Sequence, residues 1–207
     1  MMAGLQPALD ALSEGRIIII TGDRLRGGDI DFCIAACHIT PEAINFLATH
    51  GRGLICLTLT PDRAAHMGIE LINTRRRQQS GRPHGRSIEA ATGVTTGISA
   101  ADRAHTVRVA VDPGSDDSDL VSPGHVFPLI IADGGVRARP AAAEASIELC
   151  RLAGAGEAAV ICSIMRDDGE MARLEDIEDL VSRHKLQVVD ISQLDGVGAG
   201  VIPGAPD

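Results

Sequence analysis

Asp29, Asp31 and His125 are among the side chains of this sequence that can act as general acids and bases. Asp29 and Asp31 lie in a glycine-rich stretch, and His125 follows a Pro-Gly pair. An imidazole titrates near neutral pH, and burial or neighbouring charges can tune a carboxylate toward the same range. We therefore predict His125, Asp31 and Asp29 as the catalytic groups that move protons on a small substrate.

A second group of residues is suited to binding an anion. Arg26 and Arg139 carry planar guanidinium groups that match a phosphate, and a helix capped by Ser99 would present free backbone N–H groups in its first turn. The predicted substrate-binding residues are Arg26, Arg139, Ser99, Asp102, Arg103, Thr106 and Glu144. Taken singly, each also has an ordinary structural explanation, such as a surface ion pair between neighbours on a helix.

Two longer strings carry a family resemblance. Residues 93–106 read GVTTGISAADRAHT, and residues 122–129 read SPGHVFPL. Together they resemble 3,4-dihydroxy-2-butanone 4-phosphate synthase, which converts ribulose 5-phosphate to formate and the four-carbon precursor of riboflavin. The resemblance implies an α+β fold, a homodimer with active sites at the subunit interface, and a catalytic role for His125 across that interface.

Three positions depart from the pattern that the resemblance implies. The family motif R-E-N-E-G-D aligns with residues 26–31, so Gly27 stands where the family has a magnesium-binding Glu. The motif R-x-G-H-T-E-A aligns with residues 139–145, so Ala142 stands at a metal-binding His. Ser163 replaces the Glu of a Cys-Glu pair. Because Gly and Ala have no side-chain ligand for a hard cation, we expect the magnesium site to be absent and no cofactor to be used.

The resulting functional prediction has one main form and two alternatives. The main form is a divergent homologue that acts on a sugar phosphate or similar small anion by metal-independent enolisation or dehydration, with lyase- or isomerase-type chemistry. The first alternative is a catalytically silent homologue with a binding, regulatory or scaffolding role. The second is retained synthase activity in riboflavin biosynthesis.

A cysteine pair and a basic segment are two further candidates for functional sites. Cys33 and Cys37 lie about 13 Å apart on one strand face, too far to share a tetrahedral zinc ion. The basic segment 73–86 contains five arginines. Such a segment would concentrate anions as a lid over the site, or it is simply a solvated loop, and both interpretations stay open.

Composition limits the classes of partner. The chain has 207 residues, a net charge of −9, three Phe and no Trp or Tyr. The negative charge and the lack of aromatic stacking platforms argue against a nucleic-acid partner. Five cysteines in no tight framework favour reduced thiols and a cytoplasmic location. No apolar stretch is long enough for a membrane span, so we expect no membrane partner.

Strand and helix patterns alternate without strict repetition and predict an α+β domain with a mixed sheet and packed helices. Helix starts are indicated at Thr40-Pro41, Thr60-Pro61 and Ser99. A strand is predicted over 32–37 and a helix over 171–184. The domain is predicted to span residues 1–194, and residues 195–207 are predicted to be a flexible tail because they are rich in Gly and Pro.

Overall fold

The computed structural model describes residues 4–72 and 81–195. The helices are α1 (Gln6–Ser13), α2 (Pro41–Phe46), α3 (Pro61–His66), α4 (Ala100–Val111), α5 (Gly135–Ala138), α6 (Ala142–Leu152) and α7 (Glu178–His184). The strands are β1 (Ile18–Asp23), β2 (Asp29–Ala35), β3 (Arg52–Leu59), β4 (Ile88–Ala90), β5 (Leu120–Ile130), β6 (Ala159–Ile164) and β7 (Gln187–Asp190). No helix in these two ranges is long and apolar enough to cross a membrane.

The strands form one mixed sheet with the order β4-β5-β3-β6-β2-β1-β7. β3 pairs in parallel with β5, and β1 in parallel with β7. The remaining neighbours are antiparallel. The prediction of an α+β fold with a mixed sheet is therefore confirmed.

The sheet is covered on both faces, so its central strands are buried on both sides. Side chains of α1 and α6 form one apolar cluster with alternate residues of the sheet, including Cys33 and Ile161. Side chains of α2 and α4 form the other cluster, on the opposite face, with Phe32 and Cys162. Ile, Leu, Val and Ala supply most of both clusters, as the scarcity of aromatic residues requires.

The three predicted helix starts are confirmed by their capping hydrogen bonds. The Thr40 side chain accepts a hydrogen bond from the N–H of Ala43, and the Thr60 side chain accepts one from the N–H of Arg63. Ser99 accepts from the N–H of Asp102, so α4 begins where its cap predicts.

Several elements differ from the sequence-based expectation. A single helix was expected over 171–184, but a 3-10 turn (Leu174–Ile177) precedes the shorter α7. The strand predicted over 32–37 begins three residues earlier, at Asp29, and ends in a 3-10 turn. The three-residue β4 was not predicted. Residues 73–80 of the basic segment, and the predicted tail after Asp195, lie outside the described residues.

Candidate active site

The predicted acid Asp31 is buried and bound by an arginine. It lies on β2 with no exposed surface, and Nη2 of Arg82 donates to both of its carboxylate oxygens at 2.7 and 2.8 Å. The Arg82 side chain is itself only 7% exposed. Burial alone would lower the pKa of Arg82, but the adjacent Asp31 outweighs this effect and raises it. Arg82 thus compensates for the removal of the Asp31 carboxylate from water.

Ser163 makes a third contact to the same carboxylate. Ser163 on β6 lies directly opposite Asp31 in the ladder, and its Oγ donates to Asp31 Oδ1 at 2.7 Å. The family resemblance places a Glu at this position. A second carboxylate this close would repel the first, whereas the serine hydroxyl stabilises it with a neutral hydrogen bond.

Arg139 and Glu144 form a second buried ion pair beside the start of α6. Arg139 Nη1 donates to both oxygens of Glu144, at 2.9 and 3.0 Å, and the N–H of Ala132 donates to Glu144 Oε1 at 3.1 Å. Arg139 Nη2 also donates to the backbone oxygen of Gly81. Because Gly81 immediately precedes Arg82, one short segment links the two ion pairs.

The other predicted acid, Asp29, is held by two arginines. Arg26 Nε and Nη2 donate to Asp29 Oδ2 at 3.1 and 2.9 Å, and Arg173 Nη1 donates to Oδ1 at 3.1 Å. Both carboxylate oxygens of Asp29 are therefore occupied, as both are in Asp31. We use the name arginine cluster for Arg26, Arg82, Arg139, Arg173 and the three carboxylates that they bind, Asp29, Asp31 and Glu144.

Asp23 adjoins this cluster and was missed by the sequence analysis. It lies at the end of β1 opposite Asp29 and is 1% exposed. Its Oδ2 accepts from the N–H of Ala142 at 3.0 Å, and its Oδ1 accepts from the N–H of Leu25 at 3.1 Å. Ala141, the N-cap of α6, has no side-chain acceptor, so Asp23 supplies that cap from a distant strand. The sequence feature that could have identified Asp23 is an acidic residue at the end of a buried strand.

The described part of the basic segment packs against the sheet. The N–H of Ile130 donates to the oxygen of Pro83, and the N–H of Gly85 donates to that of Pro128, at 3.0 and 2.9 Å. Residues 81–86 are therefore fixed to β5 instead of forming a free loop. His84 lies among the cations, where burial first, and then Arg82 and Arg26, lower its pKa.

The predicted acid/base residue His125 lies elsewhere on the sheet. Its Nδ1 is 2.8 Å from Glu89 Oε2, and its side chain is 42% exposed. The other oxygen, Glu89 Oε1, is buried and has no hydrogen-bond partner in the described part of the chain. No ion pair or side-chain hydrogen bond within residues 4–72 and 81–195 joins His125 to the arginine cluster.

Of the four predicted substrate-binding residues at and in α4, Ser99, Asp102 and Thr106 make hydrogen bonds within the protein. Asp102 accepts from the Thr95 hydroxyl and from the N–H of Gly97, both at 3.0 Å, and Thr106 Oγ1 accepts from the N–H of Ala90 in β4. Ser99 caps the helix. In the described residues, Arg103 Nε is buried without a partner. These residues lie with β4 and the His125–Glu89 pair.

The polar side chains thus form two groups, and a separate cavity is lined by neither of them. That cavity, about 460 Å³, lies beyond the C-terminal ends of β3 and β5, between Thr60, residues 131–137 and Arg151. Its contact with the arginine cluster is indirect, through the Ala132 N–H that binds Glu144. We place the candidate site at the arginine cluster because buried, converging charges concentrate there.

Comparison with known proteins identifies the family. Residues 6–196 match the family model for 3,4-dihydroxy-2-butanone 4-phosphate synthase. The chain belongs to this family. It is 43% identical over 192 residues to the riboflavin biosynthesis protein RibBA of Aquifex aeolicus, covering 92% of this chain and 47% of that protein. It is 40% identical over 193 residues to the 3,4-dihydroxy-2-butanone 4-phosphate synthase of Agrobacterium fabrum, covering 93% of this chain and 91% of that enzyme.

Solved structures agree with the sequence relatives. The two-domain synthase RibBX of A. baumannii matches with a TM-score of 0.87 and 39% identity, over 92% of this chain and 56% of that one. A synthase in complex with two magnesium ions matches with a TM-score of 0.86 and 34% identity, over 92% and 94% of the two chains. The chain spans about half the length of the Aquifex protein and of the Photobacterium phosphoreum synthase.

The expectation that no cofactor is used is wrong, because the related synthase that matches with a TM-score of 0.86 is in complex with two magnesium ions. Within the described ranges, no three His, Cys, Asp or Glu side chains are grouped to hold a metal ion. The carboxylates at the arginine cluster are nevertheless hard oxygen donors of the kind that Mg²⁺ prefers. A bound ion would take oxygens of Asp29 or Asp31 in exchange for arginine contacts, and would supply positive charge next to a substrate oxygen.

Proposed function

We propose that this chain carries out the reaction named by its relatives, the conversion of ribulose 5-phosphate to 3,4-dihydroxy-2-butanone 4-phosphate and formate. The observation that carries the proposal is its 40–42% identity to 3,4-dihydroxy-2-butanone 4-phosphate synthases over more than nine-tenths of the chain. Arg26, Asp31, Arg139, Glu144 and His125 match the family motifs within that similarity.

The site residues are assigned roles by their contacts. Arg26 and Arg139 bind the anionic substrate, because each has guanidinium donors beyond those bound to Asp29 and Glu144. His125 moves protons, because its imidazole is part-exposed and its Nδ1 is fixed by Glu89, which leaves Nε2 for the substrate. We further propose that two chains associate, so that His125 of one reaches the arginine cluster of the other.

The predicted phosphate contacts on α4 have a supporting role in this proposal. Ser99, Asp102 and Thr106 fix the turn before α4 and its packing on β4. The buried and unpartnered Nε of Arg103 is a donor next to that turn in the described chain.

Three replaced residues favour a second candidate function. Gly27, Ala142 and Ser163 stand where the family motifs have Glu, His and Glu, and these losses point to an altered reaction on a phosphorylated compound.

Loss of one well-placed catalytic group typically costs about 10²–10³-fold in rate. We therefore expect formate release at less than about a hundredth of the rate of a synthase that keeps all three residues.

The test is a formate assay with ribulose 5-phosphate and magnesium, with EDTA as the control and the Agrobacterium synthase as the reference enzyme. Slow, EDTA-sensitive formate release supports the synthase function. No formate combined with thermal protection by ribulose 5-phosphate would support the altered reaction. Neither formate nor protection would indicate a silent homologue.

A further inference from the structure

We infer that Arg82 is an additional binding residue for the phosphate group of the substrate, and that Asp31 and Ser163 hold it in place. The inference rests on the proposed function for the substrate class, and on the contacts of this chain for the residue. Arg82 lies in the basic segment and belongs to none of the motifs that carry the family resemblance.

The hydrogen bonds of Arg82 leave part of its guanidinium group for a ligand. Both bonds to Asp31 come from a single nitrogen, Nη2, so Nε and Nη1 are not committed to that carboxylate. An arginine has five N–H donors in a fixed plane, and one carboxylate fixes the orientation of that plane. Asp31 therefore holds the remaining donors in a defined direction.

The anchor itself is rigid. Asp31 is fully buried in the middle of the sheet, and Ser163 fixes one of its oxygens from the neighbouring strand. Backbone hydrogen bonds on both sides of His84 fix the Arg82 segment to β5. A binding group held in this way loses little conformational entropy when a ligand arrives.

A second guanidinium group, that of Arg139, lies close to Arg82. Arg139 donates to the oxygen of Gly81, so its guanidinium lies next to the residue that precedes Arg82. Two guanidinium groups match a phosphate monoester, which carries close to two negative charges at neutral pH. Burial raises the pKa of the neighbouring Cys56 thiol to about 12, although Arg82 acts to lower it, so this thiol does not add a second negative charge beside Arg82.

The test compares two variants that should change phosphate affinity differently. Arg82→Gln removes the proposed phosphate contact, whereas Asp31→Asn removes the negative charge that opposes phosphate and leaves Arg82 in place. The binding of inorganic phosphate, ribulose 5-phosphate and unphosphorylated ribulose is measured by calorimetry. We expect Arg82→Gln to weaken binding of both phosphates at least about 10-fold and Asp31→Asn to bind them as tightly as wild type or more tightly.

Two controls keep this test decisive. Arg86→Gln makes the same charge change four residues away, where Arg86 forms an exposed pair with Glu70, and should leave binding within about 2-fold of wild type. If Arg82→Gln does not fold because Asp31 is left unpaired, the neutral double variant Asp31→Asn/Arg82→Gln replaces it and should show the same loss.

The outcomes separate this inference from the proposed function. Equal weakening in Arg82→Gln and Asp31→Asn would mean a structural role for the pair and would overturn the inference. So would unchanged phosphate binding in Arg82→Gln, or a wild type that binds no phosphate. Phosphate binding that depends on Arg82 in an enzyme that releases no formate would sustain the inference and refute the synthase function.

Discussion

At the scale of single residues, the carboxylates of this site are engaged before any substrate arrives. Both oxygens of Asp31 and both oxygens of Asp29 accept hydrogen bonds from arginines. Release of the Arg82 contact to Asp31 would leave a buried cation without its partner. His125 has no such constraint, because only its Nδ1 is bound and its ring is part-exposed.

This difference makes His125 the residue whose replacement should most clearly affect chemistry. We expect His125→Ala to lower kcat for formate release at least about 100-fold, since a positioned acid/base group contributes about 10²–10⁴-fold. The melting temperature should fall only modestly, because the His125 side chain is 42% exposed, although its removal takes the hydrogen-bond partner of Glu89 Oε2. Steady-state kinetics and thermal unfolding of both proteins provide the measurement, with His66→Ala on the exposed face of α3 as the control. A kcat close to that of the wild type would exclude His125 from the catalytic groups.

At the scale of elements, α6 depends on a strand that is far away in the sequence. The first-turn N–H of Ala142 has no acceptor at the N-cap Ala141 and is satisfied by Asp23. The same carboxylate accepts from Leu25 at the start of the loop that carries Arg26. One buried acid thus fixes both the helix that follows Arg139 and the loop of Arg26.

Asp23→Ala should therefore destabilise the fold. The buried N–H of Ala142 and the part-buried N–H of Leu25 would lose their acceptor, and we expect a loss of about 2 kcal/mol in the free energy of unfolding. Asp23→Asn, which keeps one acceptor oxygen, should lose less. Urea denaturation measures these differences, and Asp167→Ala serves as the control because Asp167 is 93% exposed. An Asp23→Ala variant as stable as this control would show that water replaces the cap.

The sequence predicts the elements better than it predicts their contacts. Caps and β-branched runs act locally, so the starts of α2, α3 and α4 were predictable from Thr40, Thr60 and Ser99. β4 has only three residues, too few to show a period of two. The Asp31–Arg82 pair joins residues 51 positions apart, and neither local propensity nor spacing contains that information.

At the scale of the whole molecule, the two groups of polar residues lie at different positions in the sheet. The arginine cluster is built on β2, α6 and the loops that carry its arginines, with Arg82 on a segment bonded to the end of β5, whereas the His125–Glu89 pair lies on β5 and β4. Two strands, β3 and β6, separate β5 from β2 in the strand order. A single site that uses both groups is most simply formed by two chains, with each chain contributing one group.

Mixing two impaired variants tests this arrangement. His125→Ala lacks the proton-transfer group, and Arg26→Gln weakens substrate binding while Arg173 still pairs with Asp29. If each site takes His125 from one chain and Arg26 from the other, half of the dimers in an equal, equilibrated mixture are hybrids, and each hybrid has one intact site. Activity should then recover to about a quarter of the wild-type value. Each variant mixed with itself is the control, and light scattering of the mixture reports whether dimers form. A mixture no more active than the average of its two components would place His125 and Arg26 in the same chain's site, or show that no site uses both.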